Sequence, residues 1–376
     1  MSDMRLPLPP CKSGEAVARR RSGWMIRAKV VGAGGYGGAG IVELLLGHPE
    51  ADIVALVDIT DTGRPYGDLY PHLAGWMDQP IVSPDDPRAR EPADVVFFAT
   101  PDRVGMRYAP RELEHGARVI DYSGDFRFDS AEAYADYAMR LGLAPEHECP
   151  QLLSQTVYGL PELHRDRIDG QRKLVGNPGC FAVSCLLGLA PAVAGGLVDI
   201  SSIVCDCKTG VSGAGKKPAP GFHYPARYEN MNAYRLAGHQ HVCEIERELA
   251  RLAGRQVRIT FTAHAVPLCR GILCTIYARA AGGASGARLV EAFREYYRGS
   301  RFVRVLEGAA SSGTVYVRGT NFCNLVVDLD DRTGMVRVIS HIDNLVKGQA
   351  GNALQNMNLL FGLPEETGLD HPHRYP

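Results

Sequence analysis

The heptapeptide GNPGCFA, residues 176–182, places Cys180 behind a glycine and a proline and ahead of a long apolar run. A helix that begins at this cysteine sets its sulfur near unpaired N–H groups and the positive end of the helix dipole. Such a setting lowers a thiol pKa and favours the nucleophilic thiolate. The other nine cysteines have no comparable context. A nucleophilic thiol also needs a proton partner. The stretch AGHQHVCEIERELARL offers two imidazoles, His239 and His241, just ahead of a helix whose Ile245, Leu249 and Leu252 share one face. A metal reading of His239, His241 and Cys243 lacks a further ligand at fixed spacing. His264, in FTAHAVP, is either another site group or a structural histidine.

A second constellation lies near the start of the chain. Gly32, Gly34, Gly35, Gly37 and Gly38 form a cluster that satisfies GxGxxG at 32, 34 and 37. It follows the short β-branched run Lys29–Val31 and precedes a helical pattern at Ile41, Leu44, Leu45 and Leu46. A second apolar run, Ile53–Val57, ends at Asp58, about 20 residues past the glycines, where a dinucleotide fold places the carboxylate that meets the adenosine ribose. Glycines there let backbone N–H groups approach a pyrophosphate at the helix N-terminus. A dinucleotide site in one domain and a helix-initial cysteine at the junction with the next point to hydride transfer onto a covalently held acyl group.

Several polar groups could bind an anionic substrate. Ser123, Asp125 and Arg127 follow the strand Arg118–Tyr122, and Thr100-Pro101 follows the strand Asp94–Ala99. These are the carboxyl ends of strands, where ligands sit in open parallel sheets. The glycine-rich basic loop KTGVSGAGKKP, which begins at Lys208, suits a phosphate or carboxylate. Arg127 and Arg270 are candidate anion clamps.

These groups need a scaffold, and 376 residues suffice for two domains. The alternation of strands and helices up to residue 179 predicts a Rossmann-like, doubly wound parallel sheet. From residue 180 the pattern changes. A buried helix interrupted at Pro191 leads to strands near Ser202–Cys207, Val257–Thr262, Ile272–Ala278 and Thr314–Val317, and to a hairpin around Asp330, Asp331 and Gly334. This predicts a second α+β domain with a mainly antiparallel sheet over 180–343. The segment NLVKGQAGNALQNMNLLFG reads as a helix that packs back on the first domain, so residues 25–179 and 344–376 form the dinucleotide-binding domain. Residues 1–24 hold prolines and the run Arg19-Arg20-Arg21, and read as a disordered basic tail.

The chain carries 41 basic and 42 acidic side chains, a balance that asks for neither nucleic acid nor an anionic membrane. No apolar run approaches a bilayer span. Ten cysteines without a secretory segment fit a reducing cytoplasm with free thiols. The pair Cys205 and Cys207 is explained by strand alternation, and no metal is expected.

The motifs VGAGGYGG, DYSGDFRF, VYGLPEL, GNPGCFA, KTGVSGAGKK, GHQHVCEIE, RGTNFCN and IDNLVKGQAGNALQNMNLLFGLPE occur in order from about residue 27 to the end. In these the chain resembles the N-acetyl-γ-glutamyl-phosphate reductase family of arginine biosynthesis, within the semialdehyde dehydrogenases. The resemblance implies that Cys180 is the nucleophile and that His241, the second histidine of HQH, is the acid/base. It also implies that Gly34, Gly35, Tyr36 and Gly37 form the nucleotide turn and that Asn344 lies against the cofactor. NADP(H), a small acyl-phosphate substrate and a homodimer or homotetramer built on the second sheet are implied as well. Two positions depart. Asp58-Ile59 stands where the family commonly has Ser-Arg, which makes NAD(H) the alternative cofactor, and Asn352 stands where it usually has Gln. The nearest alternative functions are an acyl-phosphate reductase of lysine synthesis with an aminoadipyl substrate and, on the same fold, a non-catalytic dinucleotide sensor.

Overall fold

The β-branched run before the glycines forms β1 (Ile26–Val31), and the glycines turn the chain into α1 (Tyr36–Leu46), which returns it to β2 (Ala51–Val57). The structure, a computed structural model, describes residues 24–372, so the basic segment expected as a disordered tail lies outside the described residues except for Trp24. The same alternation continues through β3 (Val95–Phe98), α2 (Gly105–Glu114), β4 (Arg118–Asp121), α3 (Ala131–Arg140), β5 (Val157–Tyr158) and β6 (Leu174–Gly176). These strands form one sheet of order β2-β1-β3-β4-β6-β5, parallel throughout.

Residues alternate across β3. Val95 and Phe97 pack with Ile41 and Leu45 on one face, and Val96 and Phe98 pack with Met106 and Ala109 on the other. A parallel sheet must be covered on both faces, and this one is.

Beyond β6 the chain enters α4 (Cys180–Ala194), whose residues Phe181 through Val193 are all buried. A helix enclosed on every side needs no polar stripe, which is why its sequence is apolar all round. Pro191 does not interrupt it, as the sequence suggested. A proline leaves the carbonyl four residues earlier without its helical donor. Here that carbonyl, on Leu187, accepts the Tyr297 hydroxyl at 2.6 Å, so the helix continues.

The second sheet comprises β7 (Val204–Thr209), β8 (Asn232–Tyr234), β9 (Thr260–Ala265), β10 (Ile272–Arg279), β11 (Val303–Leu306), β12 (Cys323–Asp330) and β13 (Met335–Ile342). Its order is β11-β12-β13-β10-β7-β9-β8, with parallel pairing only at β11–β12 and β7–β9. The mainly antiparallel expectation is met. One face packs on α4, on α5 (His241–Ala253) and on α6 (Gly286–Tyr296) through Cys205, Cys207, Cys274, Ile276, Leu325 and Val338. Thr314–Val317, expected as a strand, is instead a series of tight turns. Tyr316 N–H donates to the Gly313 carbonyl and Thr320 N–H to that of Val317, which leaves no ladder to join. The last element starts as a π-turn over Val346–Ala350 and continues as α7 (Gly351–Leu360), packed against α1 and β4 of the first sheet.

A buried ion pair crosses the first unit. The Lys29 ammonium of β1 lies 2.9 Å from the Glu112 carboxylate of α2, and both side chains are almost inaccessible. Removing one member of a buried pair leaves an uncompensated charge, and this typically costs about 3–5 kcal/mol. Glu112→Leu should therefore lower the urea midpoint strongly, and Lys29→Met with Glu112→Leu should recover much of the loss. A double variant no more stable than Glu112→Leu would show that the stranded ammonium is not the cause.

Candidate active site

The approach to Cys180 is held from four directions. Asn177 N–H donates to the Asp121 carbonyl at 2.7 Å as β6 ends. The Asn177 side chain donates to the Gln349 carbonyl at 3.0 Å and accepts from Asn352 and Asn356 at 2.8 and 3.3 Å. Its own carbonyl accepts Arg127 Nε at 2.8 Å. Gly179, extended just ahead of α4, donates its N–H to Glu244 Oε2 at 3.2 Å. Cys180 then opens the helix, where the sequence placed it.

His241 opens α5. Its Nε2 lies so close to the chain that a Cβ on Gly179 would stand 2.2 Å from it, so only glycine fits there. Glu244, one turn on and fully buried, lies 4.0 Å from His241 Nε2, accepts the Tyr158 hydroxyl at 2.8 Å and pairs with Arg127 Nη1 at 3.0 Å. The imidazole and the thiol line one cavity of about 450 Å³ with Tyr234, Arg235 and His239.

The electrostatics differ from the expectation at the thiol. Burial pushes the Cys180 thiol up to about 11, and the hydrogen bond from the Phe181 N–H and the nearby Arg127 only partly oppose it. The helix start is real, but desolvation outweighs it. Burial also holds His241 well below 6.5, reinforced by His239, Arg127 and Arg235, and His239 falls to about 4 for the same first reason. Both imidazoles are neutral at pH 7. Burial raises the Glu244 carboxyl, and the Arg127 charge opposes that shift.

The four residues expected to bind substrate are not gathered at this cavity. Arg127 is buried, and its guanidinium is taken up by Asn177, Glu244 and the Tyr122 carbonyl. Ser123 donates to Asp121 below the sheet edge. Lys208 pairs with Asp206 at 2.5 Å on the sheet face opposite Cys207, where His264 also reaches Asp206. Arg270 pairs with buried Asp343 at 3.1 Å. Two cations line the cavity: Arg227, held by the carbonyls of Ala265 and Gly221 and by Asn232, and Arg235, in an exposed segment that sequence reasoning passed over. The signal for Arg235 was the Tyr234-Arg235 pair a few residues ahead of the two histidines. Glu244 was also missed. It stands three residues after His241 on the apolar side of α5, and a carboxylate on a buried face needs a partner.

A second cavity, of about 740 Å³, lies over the carboxyl ends of β1, β2 and β3. Gly32, Gly34, Gly35, Asp58, Thr100 and Lys216 line it. Gly32 has φ +83°, and a Cβ there would lie 2.4 Å from the Ala99 carbonyl. The turn delivers the chain to the N-terminus of α1 with Tyr36 as first residue, and Gly37 and Gly38 follow within the helix. A Cβ on Gly37 would meet Gln349 Nε2 at 2.9 Å. The buried Thr100 hydroxyl has no protein partner. These features fit a dinucleotide. Asp58 is held firmly, since its carboxylate accepts N–H bonds from Gly34, Ile59 and Thr60 at 2.9, 2.7 and 3.0 Å. Asn344 does not line this cavity. Its amide accepts from Gly271 N–H at 2.7 Å and donates to Ser212 at 3.0 Å.

Residues 27–171 match the semialdehyde dehydrogenase NAD binding domain, and residues 180–344 match the semialdehyde dehydrogenase dimerisation domain. The N-acetyl-γ-glutamyl-phosphate reductase of Pelotomaculum thermopropionicum is 43% identical over 93% of this chain and 99% of its own. The chain belongs to that family. The reductase of Symbiobacterium thermophilum is 45% identical over 92% of this chain and 97% of its own. The aspartate semialdehyde dehydrogenase II of Vibrio cholerae shares the fold, with a TM-score of 0.68 at 17% identity over 90% of this chain and 99% of that one. Among the described residues, no helix is long and apolar enough to cross a membrane.

With a thiol near 11, the thiolate fraction of the free protein rises about tenfold per pH unit from pH 7 to 10. Iodoacetamide labelling of Cys180, followed on its own peptide, should show that slope. A plateau reached by pH 8 would mean that the helix N-terminus outweighs burial.

Proposed function

We propose that this chain reduces N-acetyl-glutamyl 5-phosphate to N-acetyl-glutamate 5-semialdehyde with a nicotinamide dinucleotide, in arginine biosynthesis. The names of its relatives and the two-domain architecture support the reading. The observation that carries it is Cys180 at the start of α4 with His241 Nε2 against the glycine before it. Residues 25–179 and 344–376 serve as the dinucleotide unit. Residues 180–343 supply the thiol, the substrate cavity and the sheet for a homodimer or homotetramer.

In this mechanism the Cys180 sulfur attacks the acyl phosphate and its proton passes to neutral His241. Phosphate leaves and a thioester remains on the sulfur. The N–H groups that open α4, among them the one on Phe181 that reaches the sulfur, would stabilise the acyl oxygen as charge develops. The turn from Gly32 to Gly38 would hold the pyrophosphate of a reduced nicotinamide dinucleotide, which would supply the hydride. His241 returns its proton as the sulfur is released with the semialdehyde. Arg235 is the cation offered to the substrate's carboxylate.

The reading is tested by phosphate-dependent oxidation of N-acetylglutamate semialdehyde beside its aminoadipate homologue. A faster rate with the homologue would move the protein to lysine synthesis, and no rate with either would support a dinucleotide sensor. Cys180→Ser should abolish turnover while dinucleotide binding persists. His241→Asn should lower kcat by about 10²–10⁴. A larger loss in His239→Ala would exchange the roles of the two histidines.

The cofactor choice rests on Asp58, which lines the nucleotide cavity and repels a 2′-phosphate. Lys216, from the loop of the second unit, counters it in part. Its ammonium lies 3.3 Å from the Gly34 carbonyl and 3.7 Å from Asp61. NADH should be usable beside NADPH. Asp58→Ser should raise the NADPH-to-NADH ratio of kcat/KM about tenfold, equivalent to ~1.4 kcal/mol. An unchanged ratio would place Asp58 away from the ribose.

A further inference from the structure

Strand alternation sends Cys205 and Cys207 to the same face of β7, as the sequence suggested, but that face meets two more thiols. Cys274 of β10 stands directly opposite Cys207 in the antiparallel pair, and Cys185 descends from α4 between them. The three sulfurs form a triangle with sides of 3.7, 3.5 and 2.8 Å. All four residues are inaccessible to solvent and surrounded by aliphatic side chains. Cys205, two residues before Cys207 on the same face, lies outside this group of three.

We propose that these thiols form a buried site for a soft d¹⁰ cation, with Zn²⁺ as the expected occupant. The geometry carries the argument. A point equidistant from the three sulfurs lies about 2.0 Å from each, so a cation about 1.2 Å out of their plane reaches the ~2.3 Å of a zinc–thiolate bond, and on loading the 2.8 Å Cys207–Cys274 edge opens toward the ~3.7 Å of tetrahedral thiolates. A cation so displaced has one open coordination position. The ligands come from a helix and two paired strands, which makes the frame rigid. Soft sulfur donors in a dry pocket select Zn²⁺ or Cu⁺ over oxygen-loving cations. The site is separate from the reacting groups, because Cys185 lies five residues along α4 from Cys180 and its thiol meets Cys207 of β7 and Cys274 of β10.

The test uses the full chain, produced in zinc-supplemented cells and purified anaerobically without chelator. Elemental analysis should find about one zinc per chain. Cobalt-supplemented protein should show thiolate-to-cobalt charge transfer and the intense visible bands of a tetrahedral site. Cys207→Ala and Cys274→Ala should each lower zinc content at least tenfold, whereas Cys180→Ala should retain it. Circular dichroism and dinucleotide binding establish that the variants are folded, and Cys185→Ala provides a third test at the helix. Copper-supplemented cells form a separate arm. One Cu⁺ per chain, lost in the same variants, supports the site with the other thiophilic cation. Metal at background in both arms overturns the proposal. So does metal retained in Cys207→Ala, or a Cys207–Cys274 disulfide found in the anaerobic protein by a mass 2 Da low.

Discussion

The catalytic geometry hangs on one buried ion pair, Arg127 with Glu244, which joins the first sheet to α5 of the second unit. A buried pair stabilises little unless its remaining donors and acceptors are also met. Here the Arg127 guanidinium also reaches the carbonyls of Asn177 and Tyr122, and Glu244 also receives the Tyr158 hydroxyl and the Gly179 N–H. Two of these bonds, to the Asn177 carbonyl and from the Gly179 N–H, hold the residues that lead into Cys180. The pair is therefore best understood as a registration device. It sets the lead-in to the thiol and the start of α5 against each other, beside apolar contacts that cross between the units at Tyr158, Leu160 and Cys243.

A second link acts from behind. The π-turn at Val346–Ala350 brings Gly348 so close to Cys180 that a Cβ there would lie 2.8 Å from the cysteine Cβ. The next residue, Gln349, reaches Gly37 on the nucleotide turn and offers its carbonyl to Asn177. One extra residue in a helical turn thus places three parts of the reaction centre within a few side-chain lengths. Buried Lys347 secures the turn through Glu162 at 2.7 Å and Gln355 at 2.8 Å.

What could be read in the sequence was local. The strand, glycine turn and helix around residues 26–46 follow from periodicity and from glycine's conformational freedom, and Cys180 at a helix start follows from Pro178-Gly179 and the apolar run. What could not be read was set by packing. The helix through Pro191 depends on a tyrosine hydroxyl more than a hundred residues away. Arg127, Lys208 and Arg270 looked like free cations because sequence does not show that Glu244, Asp206 and Asp343 are their partners. Arg235, which lines the cavity, is marked only by standing beside Tyr234 a few residues ahead of the two histidines.

The thiol shows the same division most clearly. Sequence position gives it a helix dipole, worth a few tenths to about 1 kcal/mol at an ordinary helix end. Folding gives it burial, which displaces pKa values by up to several units. The larger effect wins, and it acts on both partners. Desolvation favours the neutral thiol and the neutral imidazole together, whereas a thiolate–imidazolium pair at rest would need two charges in a poorly solvated cavity. The positive charge of Arg127 helps the thiolate but hinders the imidazolium, and Arg235 adds to the second effect, so the two charges do not support each other there. The resting site is thus a neutral couple whose proton moves when an electrophile reaches the sulfur. A cysteine held in this state is spared alkylation and oxidation between turnovers, and its nucleophilicity is tied to the arrival of an acyl group.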